Sequence, residues 1–289
     1  MNLNNWENSK EQIDEGEKAI LEDDISFSID SLTDALPISW WVKAIDAKIG
    51  LINYNRLIIY AGEAGSWKTT ASLQQALANA NNWLKVAYLS LEMWREGLVK
   101  TTAKKAAGID VQTVVGEMVT IRPNQTLIYK EQIALLTKNP NLDIIGYKES
   151  LWLKTFEREL ERLAEDYQLI FIDNIGSIWR ADWMKEIELL PKITDILMRI
   201  KLNYKTTLVA LHHVNKGQEN SKWPRGRSAI RGSGKVVDDA DFVVMIHREK
   251  AEDSFGDTSS FLLMKDRDNW NTATIWLIYN KWKFEWDVF

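Results

Sequence analysis

Residues 57–72 (LIIYAGEAGSWKTTAS) constrain the fold more than any other stretch. An apolar run ends in a glycine-bearing turn, and a lysine, two threonines and an alanine-rich helical sequence follow. Strand, loop and helix in this order form a phosphate cradle: loop N–H groups and the helix N-terminus face an anion. The pattern is G-x-x-x-x-G-K-[ST], so the cradle comprises Gly62, Glu63, Ala64, Gly65, Ser66, Trp67, Lys68, Thr69 and Thr70. Lys68 is expected to reach the β- and γ-phosphates of ATP, and Thr69 to hold Mg²⁺. One position breaks the pattern, because Trp67 stands where glycine is expected. A bulky side chain there falls where backbone normally approaches phosphate.

The rest of the chain alternates apolar strand runs with helical ones. Strands are predicted at 85–91, 142–146, 169–173, 207–211, 241–247 and 260–265, with a closing hairpin from 272–279 and 283–286. Helices are predicted at 70–81, 93–107, 130–137, 151–167 and 187–203, with a short one before residue 55. Such alternation gives an α/β fold with a mainly parallel central sheet flanked by helices, ending here in a C-terminal β-hairpin. Ligands of such sheets sit at the C-terminal strand ends. Residues 31–289 are read as this one domain and 1–30 as an acidic arm or linker helix. In the arm, Trp6, Ile13 and Ile20 recur every seven residues. One narrow apolar stripe results, which fits an arm docking on its own domain or a neighbour as well as a solvated tail.

With 289 residues and 45% hydrophobic ones, the chain can bury a substantial core. A net charge of −5 argues against coating nucleic acid over its whole surface but leaves room for a local basic loop. There is no cysteine, hence no disulfide or thiolate metal site, which fits a cytoplasmic protein. No apolar run is long enough to cross a membrane, so no membrane partner is expected. Fourteen tryptophans are read as core or interface anchors.

Nucleoside-triphosphate hydrolysis needs a cradle, a metal anchor, a base for water and a sensor of the γ-phosphate. Asp173 ends an apolar strand, where it can orient Mg²⁺ waters or cap a turn. Glu92 follows the neighbouring strand and fits either the base or a helix N-terminal charge. His213, beyond the strand at 207–211, can donate to the γ-phosphate or serve structurally. The His212–His213 pair has no third ligand at metal-binding spacing.

In order, GEAGSWKTT, YLSLEMWRE, LIFIDNIGSIW, ALHHVNKG, IRGSGKVVDDADFVVMIHRE and LLMKDRDNW with LIYNKWKFEW resemble the RecA-like motor domain of hexameric replicative helicases. The phage primase-helicase, bacterial replicative helicase and plasmid RepA types all share this look. The resemblance implies a RecA-like P-loop NTPase fold, with Glu92 as catalytic glutamate and His213 as γ-phosphate sensor. It makes Arg267 the finger presented to the next subunit's nucleotide, with Lys265 as its companion; without the family Arg267 is a surface charge. A planar, permanently charged guanidinium suits that task. It also places Lys216, Lys222, Arg225, Arg227, Arg231 and Lys235 in a channel loop that grips single-stranded DNA, with Trp223 available for stacking. A solvated loop is the plainer reading.

The implied function is an ATP-dependent, ring-forming translocase or helicase on single-stranded DNA, of replicative type, from a plasmid, virus or mobile element. Its implied partners are further copies of itself in a hexameric ring and a primase or polymerase. Two other readings stay open: a RecA-like recombinase or mediator filament, and a pseudo-ATPase serving as loading partner, marked by Trp67.

Overall fold

The computed structural model describes residues 36–109, 122–179, 186–214, 230, 233–249, 258–269, 272–280 and 285–288. The arm at 1–30, with its Trp6, Ile13 and Ile20, lies outside the described residues, as do Lys216, Lys222, Trp223, Arg225, Arg227 and Arg231.

In chain order the elements are α1 (Lys43–Ile49), β1 (Leu57–Gly62), α2 (Lys68–Asn81), β2 (Val86–Ser90), α3 (Arg95–Ala106) and α4 (Pro123–Thr137). Then come β3 (Leu142–Gly146), α5 (Leu153–Asp166), β4 (Leu169–Asp173), α6 (Glu186–Tyr204), β5 (Thr207–His213) and α7 (Ser233–Asp239). Four strands close the chain: β6 (Phe242–Glu249), β7 (Thr258–Asp266), β8 (Ala273–Asn280) and β9 (Glu285–Val288). Among the described residues the strands form one sheet in the order β3-β2-β4-β5-β1-β6-β7-β8-β9. From β3 to β6 neighbours run parallel, and from β6 to β9 antiparallel.

The parallel strands read as continuous apolar runs because both faces are covered, and alternate residues enter different layers. Ile58, Tyr60, Val86, Tyr88, Phe171, Val209 and Leu211 pack in one layer with α1, α2 and α3. Leu57, Ile59, Ala87, Leu89, Ile170, Ile172 and Ala210 pack in the other with α5, α6 and α7. Helix α5 shows why the helices form. Phe156, Leu160 and Leu163 share one buried stripe at helical spacing, and polar residues take the outer face.

Several boundaries differ from the sequence expectation. Helix α4 starts at Pro123, well before residue 130, because proline suits a first helical position and Gln125 Oε1 accepts from Arg122 N at 3.0 Å. Strand β5 continues through His213, which pairs in register with Gly62 of β1. Lys235 belongs to α7 and not to a loop, with Nζ 2.8 Å from Asp239 and 3.0 Å from Asp195. Trp40 is a buried anchor whose Nε1 donates to Gly50 O at 2.9 Å. Trp83, Trp94, Trp152 and Trp179 are about half exposed or more.

Candidate active site

The C-terminal ends of β2, β4, β5 and β1, adjacent in that order, carry the polar residues of the site. Residue pairs Ser90↔Asp173 and Gly62↔His213 align these ends in register. Beyond β1 the loop runs from Gly62 to Trp67 and enters α2 at Lys68. Gly62 admits no side chain: a Cβ there would lie 2.4 Å from Ile246 O and 2.5 Å from Ser66 Oγ. Gly65 has φ +78° and open space beside it. Trp67 takes φ 72°, the left-handed backbone that glycine would otherwise supply. The tryptophan therefore keeps the turn of the loop, and its indole packs against the first core layer instead of displacing the backbone. A left-handed backbone costs a non-glycine residue about 1–2 kcal/mol.

Lys68 is buried. Its Nζ donates to Gly62 O at 3.0 Å and Glu63 O at 2.7 Å, and lies 3.5 Å from His213 Nδ1. Burial pulls its pKa down to about 8, against the pull of Asp173, Glu92 and Glu63. The ammonium is thus folded onto the loop's carbonyls, next to the space a phosphate would fill.

Asp173 is buried at the end of β4. Tyr88 OH donates to its Oδ2 at 2.9 Å, Ser72 Oγ lies 2.8 Å from the same hydroxyl, and the Thr69 hydroxyl also bonds the carboxylate. Burial raises the Asp173 pKa, while Thr69 and Tyr88 oppose the rise. Glu92 Oε1 lies 3.3 Å from His213 Nε2 and accepts from Asn174 Nδ2. The bond from His213 holds the Glu92 carboxyl below the usual range, over the opposing effect of burial. His213 therefore spans the cradle and the carboxylate, one ring nitrogen toward each.

Mg²⁺ fits this donor set. Thr69 and Asp173 supply two hard oxygens side by side at the cradle, and the ion usually completes its shell with water and phosphate. Ser66 adds a buried hydroxyl with no hydrogen-bond partner among the described residues, as expected where a phosphate oxygen is to be received. Among the described residues no cluster of three His, Cys, Asp or Glu forms a separate metal cage.

Lys265 and Arg267 lie elsewhere. Strand β7 runs antiparallel to β6, and the Phe242↔Asp266 pair carries Arg267 to the N-terminal end of the parallel strands. That is roughly 20 Å, one strand's length, from the cradle of the same chain. Arg267 does not project freely: Nη1 is 3.2 Å from Asp241 Oδ1 and Nη2 donates to Asp238 O at 3.1 Å. Lys265 Nζ donates to the last carbonyls of α7, Val237 O at 2.9 Å and Asp238 O at 2.7 Å. Asp241 is also bonded by Lys201 Nζ at 2.8 Å and Leu57 N at 2.7 Å.

Tyr88, Ser72 and Asn174 were missed by reading for motifs. A tyrosine inside a buried aliphatic strand was the available signal, since its hydroxyl needs a partner. Asn174 follows Asp173 directly and gave no sign that it would turn back to Glu92.

A family model described as the DnaB-like helicase C terminal domain matches residues 38–286. The chain belongs to this family. It is 27% identical over 248 residues to the replicative DNA helicase DnaB of Rickettsia bellii, covering 78% of this chain and 49% of that protein. Against the DnaB of Treponema pallidum it is 23% identical over 261 residues, covering 84% and 54%. The chain thus spans about half the length of the curated relatives it matches. Among solved structures, an isolated ATPase domain superposes with TM-score 0.72 at 18% identity, covering 95% of this chain and 97% of that one. A DnaB-like replicative helicase, from a study of its interactions with primase, gives 0.74 at 15% identity, covering 92% and 66%. Both likenesses show the RecA-like fold of this DnaB-like motor domain. No helix among the described residues is long and apolar enough to cross a membrane.

Proposed function

We propose that this chain is the motor unit of a ring-forming, ATP-driven translocase on single-stranded DNA, of replicative type. One observation carries the reading: Lys68, Thr69, Asp173, Glu92 and His213 meet at the ends of four adjacent parallel strands. Lys68 and the loop N–H groups hold the triphosphate. Thr69 and Asp173 hold Mg²⁺, whose charge offsets that of the phosphate oxygens when bound. Glu92, ionised at neutral pH and aimed by Asn174, takes the proton of the attacking water. His213 lies where it reports a γ-phosphate to Glu92.

Glu92→Gln keeps the shape and the bond partners but removes the base. ATP binding is expected to persist while turnover falls about 100-fold, measured by nucleotide titration and phosphate release. An unchanged rate would remove Glu92 from the base role.

The DNA grip is assigned to the basic residues at 216–231, where Lys216, Lys222, Arg225, Arg227 and Arg231 face one acid, Glu219. Lys235 is a weaker candidate, being paired with Asp195 and Asp239. Replacing Arg225, Arg227 and Arg231 together should flatten the log-affinity against log-salt slope for single-stranded DNA by about 2. An unaltered slope would move the DNA site elsewhere.

The experiment for the whole reading is ATP hydrolysis with and without single-stranded DNA, with negative-stain images to separate ring from filament. Stimulation by DNA together with rings supports it, and filaments would favour the recombinase reading. The source in a plasmid, virus or mobile element belongs to the proposal and rests on sequence resemblance alone, as both curated relatives are bacterial. A hexameric state, a primase or polymerase as partner, a cytoplasmic location and the domain limits at 1–30 and 31–289 belong to it as well.

A further inference from the structure

The guanidinium of Arg248, on β6, touches the phosphate loop at its two left-handed residues. Its Cζ lies 4.7 Å from the centroid of the Trp67 ring, and its Nη1 is 3.5 Å from Gly65 O. Gly65 has φ +78° and Trp67 φ 72°. Glycine adopts such a backbone without strain, whereas tryptophan needs compensation from its side chain. The Trp67 side chain packs against the first core layer, and Arg248 lies over its ring. A cation over an indole is the strongest pairing of its kind, and an arginine can stack flat as well.

We propose that Arg248 is a positioning residue that acts through Trp67: stacked on the indole, it holds the phosphate loop in its nucleotide-binding turn. The loop thereby replaces a missing glycine with a clamped tryptophan. The anchor sits on β6, the strand beside β1, whose Ile246 carbonyl also lies against Gly62 of the cradle. The proposal rests on the reading of this loop as the ATP site. It assigns Arg248 to loop shape and not to the reacting atoms, so ATP affinity should move and the chemical step should not.

The test is a double-mutant cycle on the full chain, with KM and kcat for ATP hydrolysis and Mg-ATP binding by calorimetry. Arg248→Ala should raise KM and Kd about ten-fold and change kcat less than about two-fold. Arg248→Lys, which keeps the cation but loses the flat stack, should recover part of the affinity. In a Trp67→Gly background, Arg248→Ala should add less than about two-fold to KM, because nothing is left to clamp. A ten-fold rise that persists in that background overturns the proposal and puts Arg248 on the nucleotide itself. An unchanged KM in Arg248→Ala overturns it too. If Arg248→Ala fails to fold, Arg248→Lys compared with and without Trp67→Gly carries the same cycle. Lack of ATP binding by the unmodified chain would instead sink the ATP reading, so the two failures are told apart.

Discussion

Lys68→Met is expected to stop ATP turnover and, in the nucleotide-free protein, to raise the unfolding temperature at pH 7. The first half follows from losing the only ammonium in the cradle among the described residues, worth about 10³-fold in rate by analogy with other preorganised charge stabilisers. The second half follows from burial. Lys68 titrates at about 8 in the folded chain and at 10.5 unperturbed. Below pH 8 the folded state thus holds a charge it disfavours, at a cost on the order of 3 kcal/mol. The sign is fixed by the direction of the shift. Because the folded pKa is the lower one, the penalty is absent above 10.5, grows as pH falls toward 8, and is complete below it. Methionine has similar length and no charge, so it removes the penalty, while Gly62 O and Glu63 O each lose a charged donor and keep Val214 N and Ser66 N, which costs about 1–3 kcal/mol. A net gain of about 1 kcal/mol corresponds to a rise of about 2–4 °C for a domain of this size. The gain should shrink as pH is raised from 8 toward 10.5. Melting curves of both proteins across that range decide it, and a variant less stable at pH 7 would refute the burial argument.

Arg267→Ala should lower ATP turnover by about 10³- to 10⁵-fold without unfolding the chain. The fold survives because Asp241, the buried carboxylate under the guanidinium, keeps Lys201 Nζ and Leu57 N. The activity falls if Arg267 serves a neighbour, the one role open to a finger placed at the far end of its own sheet. Mixing separates this from a structural effect. Lys68→Met and Arg267→Ala subunits are each inactive alone, while mixed rings contain interfaces with an intact Lys68 facing an intact Arg267. Recovered ATPase in the mixture is the expected result. Full activity of Arg267→Ala by itself would reject the finger. To act in trans, the guanidinium must also leave Asp241 Oδ1 and Asp238 O.

The strands of the parallel half were legible because burial on both faces forces uninterrupted apolar runs. Thus 169–173 matched β4 to the residue; 142–146 also matched β3, an edge strand whose run is interrupted by the exposed Asp143. The convergence of Glu92, Asp173 and His213 was legible because each stands at or just beyond the end of a parallel strand. Burial of Lys68 was not legible, since a lysine in a loop motif carries no sign of the carbonyls it will fold upon. Nor was the left-handed Trp67 backbone, whose ring lies under Arg248, far away in sequence. The start of α4 was missed because its apolar residues do not gather on one buried face: Leu127 and Leu135 are exposed, only Leu136 is buried, and Pro123 and Gln125 alone mark the start.

The order of strands bears on how the chain is made. Strand β1, which carries the cradle, is hydrogen-bonded on one side to β5 and on the other to β6. Both lie far downstream: Ile58 pairs with Val209 and with Phe242. At a synthesis rate of roughly 5–20 residues per second, β6 leaves the ribosome on the order of 10–40 s after β1. LIIYAG has both edges open until β5 emerges and one edge open until β6 does, which leaves an apolar strand prone to wrong pairing and a natural client for chaperones. A nascent or prematurely terminated chain lacks the β6 edge and the Ile246 carbonyl that border the loop, and it is expected to consume no ATP. A stop codon anywhere before β6 should leave an insoluble fragment and not an uncoupled ATPase.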